Sequence, residues 1–298
     1  MKKYILLIFI VSFGLVFSQN SDHKILSNGI ARSYTIHKPS NFNFNESYDL
    51  IFVLHGAMGT GKKLAKHSKF NLISDENNAI IVYPDGISKS WADARNVSKA
   101  SKRGIDDVQF ITDLRTKMAT KYHINRYYAV GISNGGFMVQ TLACEISEKF
   151  NAFASIISSL PKNLAFKCLK KRNTPILLMN GTKDQYVPFK GGEMPKFTKG
   201  GKIISTPKTI AHWKNVNQTT KLPKIEKLPN TNNTDGSKVV KYTYFKNKKP
   251  QVVLYKVIGG GHGVPGNYTR RNPRFFKLGY VNQDINAEYE IWTFLNLH

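Results

Sequence analysis

Acidic residues and cysteines are both scarce in this 298-residue chain: 19 Asp and Glu stand against 44 Lys and Arg, and there are two cysteines. Two cysteines can close at most one disulfide, which excludes a small disulfide-built scaffold and leaves a hydrophobic core to carry the fold. No His-Glu-x-x-His and no Cys or His cluster with ligand spacing occurs, so the expectation is that no metal and no cofactor is used. Internal repeats and low-complexity tracts are missing, and beyond the first twenty residues no apolar run approaches the roughly 20 residues of a membrane span. The acid deficit gives a formal net charge of +25. Nucleic acid as a partner would require clustered basic residues. The lysines are instead scattered, the densest groups being Lys167, Lys170, Lys171, Arg172 and Lys246, Lys248, Lys249. An acidic polymer drawn by the general field of the surface is the charged partner that fits.

What is present begins at the first residues. Lys2 and Lys3 precede an uncharged apolar run over 4–17 that ends at small Ser18. Such a run is shorter than a spanning helix and predicts a signal peptide over 1–18, hence a secreted or periplasmic protein starting near Gln19 with no stable membrane anchor. Losing two lysines and no acid lowers the charge to +23. The remaining residues, 19–298, read as a single domain with a polar loop or cap insertion around 185–238.

Apolar, β-branched runs at 49–54, 79–83, 127–130, 152–157, 175–179 and 251–257 alternate with helical periodicity. Ile111, Leu114, Met118 and Tyr122 share one helical face behind Asp106 or Asp107 as cap; Met138, Leu142 and Ile146 share another, and Ile291 and Leu295 a third. Strands alternating with helices predict a doubly wound α/β fold with a mostly parallel sheet covered on both faces.

The run 127–130 passes directly into Gly131-Ile132-Ser133-Asn134-Gly135-Gly136 and then into a helix. This is the Gly-x-Ser-x-Gly turn in its strand-turn-helix setting, which presents Ser133 as a nucleophile beside the positive end of a helix. A serine hydroxyl needs a base, and the base an acid to hold its tautomer. The run 175–179 leads to Asn180-Gly181-Thr182-Lys183-Asp184, and the run 251–257 to Gly259-Gly260-Gly261-His262. Asp184 as acid and His262 as base complete the order Ser, Asp, His. Asp85, Asp106 and Asp107 stay open as alternative acids, and His55 as a rival base. The oxyanion of an acyl-transfer intermediate calls for two N–H donors. Asn134, directly after the nucleophile, and Ala57, in the loop after the first core strand, are the expected pair, with Met58 the next choice. His55 and Met58 in that loop and Tyr186 and Phe189 after Asp184 are candidate substrate contacts, the last two, with Phe197, by stacking on an aromatic acyl group.

Together these residues resemble the secreted polyhydroxybutyrate depolymerase and feruloyl esterase family, related to carbohydrate esterase family one. The resemblance spans nearly the whole chain past residue 18. It rests on Leu54-His55-Gly56, Tyr83-Pro84-Asp85-Gly86 with Trp91, Asp106-Asp107-Val108 and the Ser133 turn. It continues through Leu142-Ala143-Cys144, Asn180 to Asp184, Val187-Pro188-Phe189, Trp213, Gly260-Gly261-His262 with Pro265-Gly266, and Ile291-Trp292. It implies an α/β-hydrolase fold, an acyl-enzyme mechanism on carboxylic esters and a Cys144–Cys168 disulfide. Two departures stand out: Gly263 and Val264 replace a Thr-Trp pair after the histidine, and no cysteine follows Trp213 in Val216-Asn217-Gln218. The first removes an aromatic beside the base. The expected substrates are feruloyl or acetyl esters on polysaccharides, or small aryl esters, handled by a monomer; aliphatic polyester is the alternative. A peptidase and a non-catalytic binding protein are the competing classes, and an acyltransferase stays open.

Overall fold

The computed structural model describes residues 19–168, 173–195, 200–267 and 278–298. The predicted signal peptide and Phe197 lie outside the described residues.

The chain opens with an antiparallel hairpin, β1 (Asn20–Ser27) and β2 (Ile30–His37), followed by β3 (Ser47–Leu54). Helices α1 (Gly61–His67) and α2 (Phe70–Asn77) lead to β4 (Ala79–Pro84). Helices α3 (Lys99–Lys102) and α4 (Asp107–Lys121) then lead to β5 (His123–Ile132) and α5 (Asn134–Glu145). Next come β6 (Ala152–Ile156), α6 (Lys162–Lys167) and β7 (Ile176–Gly181), then the short pair β8 (Gly192–Glu193) and β9 (Lys202–Ile203) and helix α7 (Thr206–Asn217). Strands β10 (Lys224–Lys227), β11 (Lys238–Lys246) and β12 (Lys249–Ile258) and helix α8 (Ala287–Leu295) complete the described chain.

Among the described residues the main sheet runs β1-β2-β4-β3-β5-β6-β7-β12-β11-β10. The block β4-β3-β5-β6-β7-β12 is parallel throughout, and it consists of the six apolar runs read from sequence. Those strands are continuous runs, not alternating ones, because both faces are covered. Leu50, Phe52 and Leu54 of β3 face a core with Leu114, Met138, Leu142 and Trp213. Their neighbours Ile51 and Val53 face a second core with Phe70, Ile73, Ile291 and Leu295. The antiparallel flanks β1-β2 and β11-β10 are the strands the sequence reading misses, since polar residues interrupt each of them and an edge strand needs only one apolar face.

Helix α4 starts where its cap predicts: the Asp106 carboxylate accepts from the Gln109 N–H at 2.8 Å. The 185–238 segment departs from the expected loop or cap. Its helix α7 covers the sheet itself, burying Ile210, Trp213 and Val216, and the Trp213 indole N–H donates to Gln140 Oε1 at 2.7 Å. Strand β10, in the same segment, pairs with β11 just beyond it. Ala211 and His212, then Lys214 and Asn215, separate those three apolar residues and mask the helical stripe in sequence. Among the described residues no helix is long and apolar enough to cross a membrane.

Cys144, on the last turn of α5, and Cys168, at the end of α6, are bonded with a Cα–Cα separation of 5.2 Å. The bond closes a loop of sequence separation 24 around β6. In the chain-entropy model a loop of that length contributes about 3 kcal/mol. Reduction, or the C144A/C168A pair, is expected to lower Tm by about 5–10 °C. Alkylation of the denatured, unreduced protein should label no cysteine, and a labelled pair of thiols would refute the bond.

Candidate active site

Three loops at the carboxyl edge of the parallel strands bring Ser133, Asp184 and His262 together. Ser133 follows β5 directly and adopts φ 54°, ψ −113°, a conformation that costs a non-glycine residue about 1–3 kcal/mol. The turn is held on both sides: the Ser133 N–H donates to Ile156 O at 2.9 Å, and Ser133 O accepts from the Phe137 N–H at 3.0 Å. The flanking glycines serve close approach instead. A Cβ on Gly131 would lie 2.2 Å from Gly135 O, and one on Gly135 would lie 2.4 Å from Leu54 O. The positive φ therefore falls on the serine, and the glycines let α5 sit tightly against β3 and β5.

Asp184 and His262 are set by a second close approach. A Cβ on Gly181 would lie 2.4 Å from Gly260 O, so the ends of β7 and β12 touch through backbone. Lys183 N–H donates to Gly260 O at 2.9 Å, and Gly259 N–H donates to Thr182 Oγ1 at 2.9 Å, locking the loops together. His262 is further pinned by its N–H to Leu278 O at 2.6 Å. One Asp184 oxygen accepts from the Tyr186 and Val187 N–H groups, each at 2.8 Å; the other lies 2.7 Å from His262 Nδ1. His262 Nε2 lies 3.0 Å from Ser133 Oγ. The fixed carboxylate orients the imidazole with Nδ1–H toward Asp184, leaving Nε2 to accept the serine proton.

The alternatives considered from sequence are engaged elsewhere. Asp85 accepts from the Gly61 N–H at 2.6 Å and Ser33 Oγ at 2.7 Å. Asp106 caps α4. Asp107 accepts from Arg32 and from the Ala92 N–H, each at 2.6 Å. His55, named as a substrate contact and rival base, is neither in this geometry. It is 2% exposed, its Nδ1–H donates to Gly56 O at 2.7 Å, and its Nε2 accepts from the Gly86 N–H at 3.0 Å. Burial pushes its pKa below the ordinary histidine value, so the neutral ring braces the loop after β3. Met58 is exposed with φ 66°, and its N–H is taken by Lys89 O at 2.9 Å, which removes it as the alternative oxyanion donor. The Ala57 loop abuts the turn: a Cβ on Gly56 would lie 3.6 Å from Ser133 Cβ. Tyr186 stacks on the His262 ring at 5.1 Å and 29°. An aromatic thus does flank the base, supplied by the acid's loop instead of position 264. Phe189 is half-buried near Lys256, with its carbonyl accepting from the Thr206 N–H at 3.0 Å.

One supporting layer escapes the sequence reading. Asn134 Oδ1 accepts from the Trp91 N–H at 2.8 Å and its Nδ2 donates to Asp93 at 2.6 Å. Asp93 is paired with Arg95 at 2.7 Å, and Arg95 lies 3.8 Å above the Phe137 ring. The Trp91 indole N–H closes the network on His55 O at 2.8 Å. Trp91 signalled only a motif; the Asp-x-Arg spacing of 93 and 95 was the available hint. Among the described residues no three His, Cys, Asp or Glu side chains gather as a metal site.

A parallel sheet with helices on both faces and a Ser-His-Asp array at its carboxyl edge is the α/β-hydrolase fold. The acetyl xylan esterase from Aspergillus awamori shares it, with a TM-score of 0.59 over 93% of this chain and all of that one, at 14% identity. No family model matches the chain. In sequence it is similar to feruloyl esterase B of Piromyces equi, 27% identical over 237 residues, covering 78% of this chain and 42% of that protein. It is also similar to the putative esterase NocK of Nocardia uniformis subsp. tsuyamanensis, 26% identical over 253 residues, covering 80% of this chain and 72% of the relative. The chain thus spans less than half the length of the Piromyces protein.

Proposed function

We propose that the protein is a secreted serine carboxylic-ester hydrolase, with residues 19–298 forming one catalytic domain behind a signal peptide. The observation that carries this reading is the hydrogen-bonded series Asp184, His262, Ser133, at 2.7 and 3.0 Å, on a strained strand-to-helix turn. In this reading Ser133 Oγ attacks the ester carbonyl while its proton passes to His262 Nε2, and the imidazolium returns that proton to the departing alcohol. Water, deprotonated by the same nitrogen, then attacks the acyl-enzyme, and the imidazolium returns that proton to Ser133 Oγ as the acid is released. The N–H groups of Ala57 and Asn134 are the proposed donors to the oxyanion, and the Asn134 side-chain network holds the second of them in place.

The relative named as a feruloyl esterase supports feruloyl esters as substrates, and acetyl esters on polysaccharides and small aryl esters are proposed beside them. The charge points toward acidic polysaccharide: Lys162, Lys190, Lys202 and Lys208 line a cavity of about 370 Å³ in which Glu193, ion-paired to Lys202, is the acid. The test is hydrolysis of an aryl acetate, a peptide amide, hydroxybutyrate oligomers and an acetylated polyuronate, at low and high salt. Esters should be cleaved and the amide left intact. Between about 50 and 500 mM salt the polyuronate KM should rise about threefold or more while the aryl acetate KM stays flat. Preferred cleavage of the oligomers with a salt-independent polyuronate KM would overturn both substrate and charge assignments.

A further inference from the structure

The lysine-lined cavity of about 370 Å³ has none of Ser133, Asp184 or His262 in its lining. It lies between β9, the start of α7 and the start of α6, which the Pro161–Ile203 bridge ties to β9. Lys190 enters it from the loop that begins at Asp184, and Ile203, in its wall, packs with Val187 and Phe137. One layer of apolar packing thus separates the cavity from the first turn of α5, behind the nucleophile.

The charge of this cavity is one-sided. Lys162, Lys190, Lys202 and Lys208 line it with Glu193, and the Lys202–Glu193 pair at 3.3 Å leaves three positive charges in excess. All four lysines are exposed, and lysine, a point charge on a flexible stem, can meet anions at several spacings along a chain. Phe166 shares the outward face of α6 with Lys162, four residues on, where helix geometry places their Cβ atoms about 5–6 Å apart. It is 70% exposed, the most exposed aromatic among the described residues. A lone exposed apolar side chain is ordinary on a protein surface. Beside a basic cavity, however, its ring offers a flat face against which the C–H side of a sugar ring can leave water.

We infer that the cavity and Phe166 form an auxiliary binding site for an anionic polysaccharide, with carboxylate or sulfate groups among the lysines and a sugar ring on Phe166. The assignment rests on the acidic-polysaccharide reading above and adds to it a holding site apart from the catalytic one. Binding there needs no ester in the chain. The test is therefore binding of unesterified chains by the wild-type protein at about 50 mM salt. The probes are polygalacturonate, a sulfated galactan, uncharged xylan and a DNA duplex of matched charge. At least one anionic polysaccharide is expected to bind about tenfold or more tighter than xylan and the duplex, and the tighter of the two names the anion. K162S/K208S should raise its Kd about tenfold and F166A about threefold, whereas K246S/K248S, which removes equal charge elsewhere, should change it less than about twofold.

The comparison of probes on the wild-type protein needs no variant, so it decides the question even where a substitution fails to fold. Equal binding of the duplex, or equal losses in the two lysine pairs, means attraction by net charge alone and overturns the site. An unchanged Kd in folded F166A overturns the stacking role. A salt-dependent polyuronate KM together with wild-type binding by K162S/K208S keeps the substrate reading and overturns this site alone. Turnover of 4-nitrophenyl acetate reports on the esterase reading by itself, so its failure leaves the binding result to stand on its own measurement.

Discussion

Ser133→Ala is expected to lower kcat for ester hydrolysis by about 10⁴-fold or more and to abolish labelling by a fluorophosphonate, with little change in Tm. The selectivity follows from what the hydroxyl touches. Its recorded partner is His262 Nε2 at 3.0 Å, while the backbone bonds to Ile156 and Phe137 that hold the turn belong equally to alanine. His262→Ala should fall comparably, and the double variant should be no worse than either single one, because the pair acts as a unit. Asp184→Asn should retain more activity, yet its loss should be large: the amide oxygen can keep the Tyr186 and Val187 N–H bonds, but an NH2 in place of the other oxygen cannot accept from His262 Nδ1–H, so the ring loses the tautomer that leaves Nε2 free. Wild-type rates in S133A, measured on an aryl acetate with a burst-phase control, would remove Ser133 from the mechanism.

Gly135→Ala should be a strongly damaging methyl added near the site. The new Cβ would stand 2.4 Å from Leu54 O and 2.7 Å from His55 O, both backbone atoms that cannot rotate away. Either α5 must slide out or the end of β3 must yield. Overpacking of this kind costs about 1–3 kcal/mol, and more where backbone must shift. It should also lower kcat by about 10²-fold, since displacing α5 moves Ser133 relative to His262 and moves the Asn134 N–H with it. Gly104→Asn is the control: φ is 64°, which asparagine tolerates, and nothing lies within 4 Å of its Cβ position. Urea melts and kinetics on both variants check the claim; an unaffected G135A would mean the close approach is not needed.

The parallel block of the sheet is legible in the chain because a strand covered on both faces must be apolar almost throughout, and residues 49–54 or 176–181 have no other stable use. The flanks are not legible. Strand β1, Asn-Ser-Asp-His-Lys-Ile-Leu-Ser, and β11, with lysines at both ends, acquire their conformation from a partner's hydrogen bonds, and local composition does not specify that partner. Helix α7 is hidden for a related reason: three apolar residues amid lysine and asparagine make a core helix only when a sheet lies beneath them.

At the site, strand-end placement put Ser133, Asp184 and His262 forward as candidates, with Asp85, Asp106, Asp107 and His55 still open, because chain order and the strand-turn-helix setting constrain where such residues can lie. Their mutual distances, the identity of the acid among several aspartates, and the fate of His55 depend on contacts between residues 31 to 129 positions apart. Covalent order thus determined which elements form the parallel sheet and which residues stand at its edge. Only the tertiary structure decided that His55 is a buried brace, that Tyr186 flanks the base, and that Asp93 and Arg95 support Asn134. Each of these is a hydrogen-bond or packing partnership across the fold, and a partner's direction is set when the chain closes on itself, not by the residue's own neighbours in sequence.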